Sequence, residues 1–383
     1  MINKATLTAC GGMIAMAVGI GIGRFVYTPI LPPMLAALGL SKATAGLIAS
    51  ANFLGYLAGA LAAARLSLPG SKRWWLLGAL AASALTTGAM GLVADVPWFL
   101  ALRFLGGVAS ALVLIFASAL VMDRLAADGK PGLSALHFAG VGAGIAVSAV
   151  LVSSVSGWDA MWRASGLASI IGLVLAGIIL PQQTDQPPAS RQTAAAHRDP
   201  ALRRMTIAYG LFGFGYVITA TFLVAIVRTE VPRLESSIWI MVGLGAAPSI
   251  WLWNRLARRI GTAPAFAVAS LCEATGVLAS VASAGVLSVS LGAILLGGTF
   301  MGLTALGLSR ARELAHGDVR RAMAAMTGAF GVGQIVGPLV AGVLSDALGG
   351  FLVPSALAAG ALLVAGCLAI APVRTETRTA TRS

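Results

Sequence analysis

The side chains of this chain that could do chemistry are few, and they stand inside long apolar stretches. Arg24 lies near the middle of residues 15–35, AMAVGIGIGRFVYTPILPPML, a run long enough to cross a bilayer. At helical spacing Arg24, Tyr27, Thr28 and Leu31 share one face, so a cation, a phenol and a hydroxyl would line one wall of a cavity. A centred arginine costs at least about 2.5–3.5 kcal/mol on insertion scales unless water or a partner compensates it. A guanidinium in a dry site favours a planar carboxylate or phosphate group on a ligand. The alternative is a structural ion pair, or hydrogen bonds to the carbonyls of a neighbouring helix.

Other hydrogen-bonding groups recur at helical spacing: Asn52 with Tyr56, Tyr216 with Thr219, and Gln334 beside Gly333 and Gly337. They suit a small polar molecule, with a static interhelical contact as the alternative at each position. Glu273 is the only carboxylate inside an apolar stretch, where it would load and unload a proton between two aqueous sides. His137 titrates in the useful range, with a buried polar contact as its alternative. Bond-breaking chemistry is not expected, because the chain has no Walker sequence, no paired carboxylates and no His/Cys cluster. Neither a catalytic residue nor a metal nor a cofactor follows from it. Cys10, Cys272 and Cys367 all fall in apolar stretches and read as packing residues. Leu7-Thr8-Ala9-Cys10 matches a lipoprotein signal only superficially, since the apolar run before the cysteine is too short for a signal core and continues past it.

The elements that must position these groups are membrane helices. With 58% hydrophobic and 10% charged residues and a mean hydropathy of +0.91, a soluble globule would have nothing to cover its surface. The runs are continuously apolar rather than alternating, which favours helices over a barrel. Twelve spans are expected, at about 7–38, 43–66, 74–94, 96–122, 131–155, 160–181, 204–228, 236–257, 263–284, 286–310, 321–345 and 350–372. The fold class is therefore an all-α integral membrane protein with twelve transmembrane helices.

The formal net charge of +13 would point to nucleic acid in a soluble chain, but its distribution has a better explanation. Of 26 Lys and Arg, twenty fall at the termini or in even-numbered loops, and only Lys42, Arg163, Arg228 and Arg233 fall in odd loops. Arg24 and Arg103 alone remain inside spans. By the positive-inside rule both termini are cytoplasmic, and no nucleic-acid partner is expected. Trp74, Trp75, Trp98, Trp158 and Trp162, with Asp159 and Arg163, fall at expected membrane interfaces and read as an aromatic belt.

Composition also divides the chain. Residues 182–203 are rich in Gln, Pro, Thr, Ser and Arg and read as a cytoplasmic linker between six spans in 1–181 and six in 204–383. Landmarks repeat across it at an offset of about 190 to 192 residues: Gly21-Ile22-Gly23 with Gly213-Phe214-Gly215, Arg65 with Arg255, Gly106-Gly107 with Gly297-Gly298, and Gly140-Val141-Gly142 with Gly331-Val332-Gly333. Two parallel halves of this kind hold a ligand near the midplane between them. Glycines four apart, at Gly19/Gly23, Gly55/Gly59, Gly140/Gly144, Gly298/Gly302 and Gly333/Gly337, predict close helix approach, which serves either static packing or sliding.

This plan resembles the major facilitator superfamily, on Arg103-Phe104-Leu105-Gly106-Gly107 in the fourth span, Gly337-Pro338-Leu339-Val340-Ala341-Gly342 in the eleventh, and the basic loops after the second and eighth. Residues 21–34, 50–61, 137–148, 209–223 and 328–338 are similar to its YbfB/YjiJ-type bacterial branch. The resemblance implies two parallel six-helix halves around a central cavity and a monomeric carrier of a small molecule in the bacterial inner membrane. It also links Arg103, the helix 4 arginine, to proton transfer, although a residue so near the span's end could snorkel instead. It sets the ninth span at the periphery, where Glu273 would be hydrogen-bonded between helices. The chain departs from the wider pattern at Ala63, where the loop after the second span commonly carries Asp, and in the fifth span, where Gly140-Val141-Gly142-Ala143-Gly144 lacks a proline. The first departure removes the acid of an Asp–Arg gating pair between helices, and the second weakens a reading as a proton-driven drug exporter.

The expectation is a secondary active transporter of a small organic solute, anionic where Arg24 holds it, coupled to protons and working by rocking of the two halves. Export of varied lipophilic compounds or metabolites is the alternative within transport. A membrane receptor that binds without moving its ligand is the alternative of another class.

Overall fold

The computed structural model describes residues 3–65, 70–180, 199–283, 285–315 and 319–371. Among them twelve helices are long and apolar enough to cross a membrane. They are α1 (Lys4–Leu38), α2 (Lys42–Arg65), α3 (Lys72–Ala89), α4 (Val96–Ala127), α5 (Ser134–Ser153), α6 (Trp158–Ile179), α7 (Pro200–Glu230), α8 (Glu235–Ile260), α9 (Thr262–Ala282), α10 (Val286–Leu314), α11 (Val319–Leu348) and α12 (Leu352–Ile370). Each overlaps an expected span. Most of the segment read as a linker, 182–203, lies outside the described residues, and α7 opens before its end. Asp199 caps that helix by accepting from Ala201 N at 2.7 Å, and Pro200 at the first helical position loses nothing by lacking an N–H.

Glycine fixes how the helices touch. On the α2/α4 seam Gly55 faces Phe104 O and Gly107 faces Asn52 O, and on the α8/α10 seam Gly245 faces Ile294 O and Gly297 faces Val242 O. Raising each number of the first set by 190 gives the second, so the sequence repeat is a repeat of contacts. Likewise α5 meets α1 through Gly140 and Gly144 against Met13 and Ala17, and α11 meets α7 through Gly333 and Gly337 against Gly210 and Phe214. Of the expected close pairs, Gly298 is the exception, because a Cβ there would meet nothing within 4 Å.

The two six-helix halves join along α2/α11 and α5/α8. In the second seam Gly142 and Gly243 face each other's carbonyls reciprocally. The first is closed at its end remote from the termini by Asp346, whose carboxylate accepts from Lys42 N at 3.1 Å and Ala43 N at 2.8 Å and so caps α2 from α11. Lys42 Nζ donates back to Ser345 O at 3.3 Å, and Ser50 Oγ donates to Ile335 O at 2.6 Å deeper in the seam. On this same face the Tyr27–Leu38 part of α1 packs on α7, whereas Lys4–Met16 packs on α4, α5 and α6.

Of the tryptophans read as a belt, Trp74 and Trp98 are 69% and 60% exposed, as such a place requires. The reading fails for Trp162, which is fully buried and lies 6.3 Å from the ring of Tyr27. Its place at a span's end misleads, because the indole turns inward to Tyr27 of α1 and lies 5.9 Å from the Arg103 guanidinium.

Candidate ligand-binding site

The site begins with a break in α1. From Ala17 to Ile22 the helix widens to a π turn, in which Gly23 N reaches Val18 O at 2.8 Å and Phe25 N reaches Ile20 O at 3.3 Å. Pro29 has no N–H for Phe25 O, and Thr28 N takes that carbonyl instead at 3.2 Å. This shift leaves Gly23 O and Arg24 O to a partner from outside the helix. Arg103 of α4 supplies it, donating from Nη1 to Gly23 O at 3.1 Å and from Nη2 to Arg24 O at 3.0 Å. The guanidinium is buried beneath the rings of Tyr27 and Trp162, at 5.1 and 5.9 Å, so it does not snorkel. Asn52 completes the tie by donating from Nδ2 to Arg103 O at 2.9 Å.

The residues expected to share a wall with Arg24 turn out to be engaged elsewhere. Tyr27 donates to Ala45 O of α2 at 2.9 Å, and Thr28 donates to Ala220 O of α7 at 2.6 Å. Arg24 instead lies over Phe53 and Tyr56 of α2, 4.6 and 4.3 Å from the ring centres. Nε and Nη2, the two nitrogens of one guanidinium edge, are buried and have no hydrogen-bond partner among the described residues. Arg24 is the one sequence candidate that presents an unused charge-bearing edge of this kind.

Tyr216 is its counterpart in the second half. The phenol lies parallel to Phe300 and to Phe330, each 5.8 Å away with interplanar angles of 5° and 4°, and its hydroxyl accepts from Gln334 Nε2. Phe25, next to Arg24, meets Phe300 edge-on at 5.8 Å and links the two sides. Tyr216 is within electrostatic range of Arg24, Tyr56 and Glu273. Gln334 Oε1 and Thr219 Oγ1 are buried without hydrogen-bond partners among the described residues. The same is true of both Glu273 oxygens, although the Thr299 hydroxyl, which donates to Leu295 O at 2.6 Å, stands beside them.

The sequence candidates therefore sort into three groups. Arg24 with Tyr56, and Tyr216 with Gln334, are linked through Phe25 and Phe300, while Thr219 is buried one turn from Tyr216 and Glu273 is within electrostatic range of Tyr216. Tyr27, Thr28, Asn52 and Arg103 are committed to backbone carbonyls and form the frame. His137 stands apart, with Ser118 Oγ 3.3 Å from its Nε2 and its ring against Gly12, where a Cβ would collide with it. Phe25, Phe53, Phe300 and Phe330 do not stand out in the sequence. Phe53 three residues before Tyr56 is the available signal, since that spacing puts both rings on one face.

Residues 16–370 match the family described as uncharacterised MFS-type transporter YbfB. The chain belongs to the major facilitator superfamily. As a member it is a multi-pass membrane transporter. Among solved structures, a mutant of the nucleoside transporter NupG superposes with a TM-score of 0.73 at 14% identity, covering 96% of this chain and 98% of that one. The human organic anion transporter MFSD10 (TETRAN) gives 0.68 at 16% identity, covering 96% and 100%. These likenesses show the major facilitator fold. No curated protein matches the chain in sequence.

Proposed function

We propose that the protein is a secondary active carrier of a small organic anion, coupled to protons, in which residues 1–181 rock against 204–383. The observation that carries this reading is the bare Nε/Nη2 edge of Arg24, buried at the break in α1. An unmatched guanidinium in a bilayer interior is costly, and a carboxylate on that edge would make two parallel charge-assisted hydrogen bonds. Tyr56, Tyr216, Thr219 and Gln334 orient the remainder of the ligand. Glu273, buried beside the Thr299 hydroxyl with no cation as partner and within range of Tyr216, is the proton carrier, while Arg103 acts by holding the α1 break. The name of the human neighbour, an organic anion transporter, agrees with this charge class.

The distribution of basic residues supports both termini being cytoplasmic, and the resemblance to the YbfB-type branch supports a monomer in the bacterial inner membrane. In that orientation the seam capped by Asp346 closes the outer side.

The test is the thermal stability of the purified protein with carboxylates, phosphates and neutral lipophiles, comparing wild type with Arg24→Ala. A ligand at a hundred times its Kd stabilises the folded state by about 2.7 kcal/mol. Carboxylates are expected to raise the melting temperature of the wild type and not of the mutant. Stabilisation mainly by neutral lipophiles, indifferent to Arg24, would transfer the assignment to a lipophilic-compound exporter with a structural Arg24.

A further inference from the structure

On the reading that Glu273 carries the proton, the side chain beside it on α10 has a role of its own. We infer that Thr299 is the positioning residue for that proton, its hydroxyl accepting from the neutral Glu273 carboxyl and turning to donate to it once the proton has left. The approach of two helices, the hydrogen bonds at the pair and the charges around it each support this.

Glycine brings α9 and α10 together at this level. One turn beyond Glu273, Gly276 lies against Leu295 and Gly292 O, and Gly292 lies in turn against Gly276 O. With no Cβ on either glycine the backbones close up. Thr299, one turn on from Leu295, is thereby set beside the carboxyl, and both side chains are buried.

The hydrogen bonds leave one group free to change partner. Thr299 Oγ1 gives its single proton to Leu295 O at 2.6 Å, while both Glu273 oxygens are buried without a hydrogen-bond partner among the described residues. A hydroxyl keeps acceptor lone pairs after donating, so a neutral carboxyl can give its O–H to Thr299 Oγ1 and leave that bond intact. An ionised carboxyl only accepts. The Thr299 O–H then serves it better than it serves Leu295 O, which keeps the backbone N–H four residues on. Rotation of one O–H thus satisfies both states of the acid, and the proton itself is exchanged with water when the site opens.

No cation competes for this task. α12 carries no charged residue, and those of α7, α8 and α10 stand near the ends of their helices. Tyr216 of α7 is the titratable group that faces Glu273. Ser270, one turn before the acid, lies against Gly366 of α12. An ionised Glu273 therefore depends on neutral donors, and Thr299 is the one set beside it. The repeat gives the pair its place: Ser83, about 190 residues before Glu273, stands against Gly23 next to Arg24, as the acid stands behind Tyr216.

Infrared difference spectra of the purified full chain between acid and alkaline pH show the C=O stretch of neutral carboxyls, and Glu273→Gln identifies the part that belongs to this residue. Thr299→Val removes the hydroxyl at nearly constant volume. It is expected to shift the Glu273 stretch to higher frequency, because the acid then donates to nothing, and to move the pH at which the band is lost upward by about one unit, a tenfold change in proton affinity. Thr299→Ala should do the same, which separates loss of the hydroxyl from a change of packing. Thr299→Ser and Ser270→Ala should keep the wild-type frequency and midpoint. Wild-type values in Thr299→Val and Thr299→Ala, a serine variant that behaves like the valine one, or an equal shift in Ser270→Ala overturns the inference and leaves Glu273 as the proton carrier. A spectrum in which Glu273→Gln removes no band overturns that assignment as well.

Discussion

Arg24 and Arg103 are the same residue type in the same interior, and their guanidinium edges separate their roles. Both Nη groups of Arg103 meet carbonyls of a broken helix, whereas Arg24 keeps an edge bare over two aromatic rings. Replacing Arg103 by lysine keeps the charge but cannot span Gly23 O and Arg24 O with one fork. Arg103→Lys is therefore expected to lower ligand affinity about tenfold, with the helix content seen by circular dichroism unchanged. Affinity equal to wild type would show that the break holds Arg24 without the clamp. Much of this is legible in sequence, because a charge in an apolar run is conspicuous. Its neighbours are harder to read. A regular helix would put Tyr27 and Thr28 on the same wall as Arg24, but their hydroxyls are spent on carbonyls of α2 and α7, which no sequence pattern announces. Phe53 and Phe300 do not stand out because phenylalanine in a membrane span is ordinarily packing, and only its position against Arg24 or Tyr216 distinguishes it.

Among elements, the glycine seams make paired predictions. A Cβ on Gly107 would collide with Asn52 O, in the seam where Asn52 also holds Arg103 O, whereas one on Gly298 meets nothing within 4 Å. Gly107→Val is expected to cost about 1–3 kcal/mol as overpacking, and Gly298→Ala to stay within about 0.5 kcal/mol, read as shifts in melting temperature. Similar losses from both would mean that the α2/α4 seam yields more easily than its geometry implies. Sequence alone nominates both glycines, since a glycine reads identically on a packed face and on an open one. The 190-residue repeat is the stronger guide, because it aligns residues that touch: Gly55 and Phe104 in one half, Gly245 and Ile294 in the other.

For the whole molecule the controlling contact is the cap that Asp346 places on α2, since it ties the two halves at one face. A charged cap is worth about 1 kcal/mol, or a factor of about five in a two-state population. Asp346→Ala should therefore raise the labelling rate of a cysteine introduced at Ile226, beside the cavity of about 630 Å³ on that face, by about that factor in a background with the native cysteines replaced. An unchanged rate would show that the glycine seams alone keep this face shut. The bare edge of Arg24 and the buried carboxyl of Glu273 have a consequence at the same scale. If each is filled once per cycle, by a monoanion and by a proton, the cargo crosses with no net charge. A membrane potential does work of about 2.3 kcal/mol per 100 mV on each charge carried across, and on this cargo it does none. Uptake into vesicles is then expected to follow an imposed pH difference and to ignore a potassium–valinomycin potential, so that the carrier draws on the chemical half of the proton gradient and leaves the electrical half untouched.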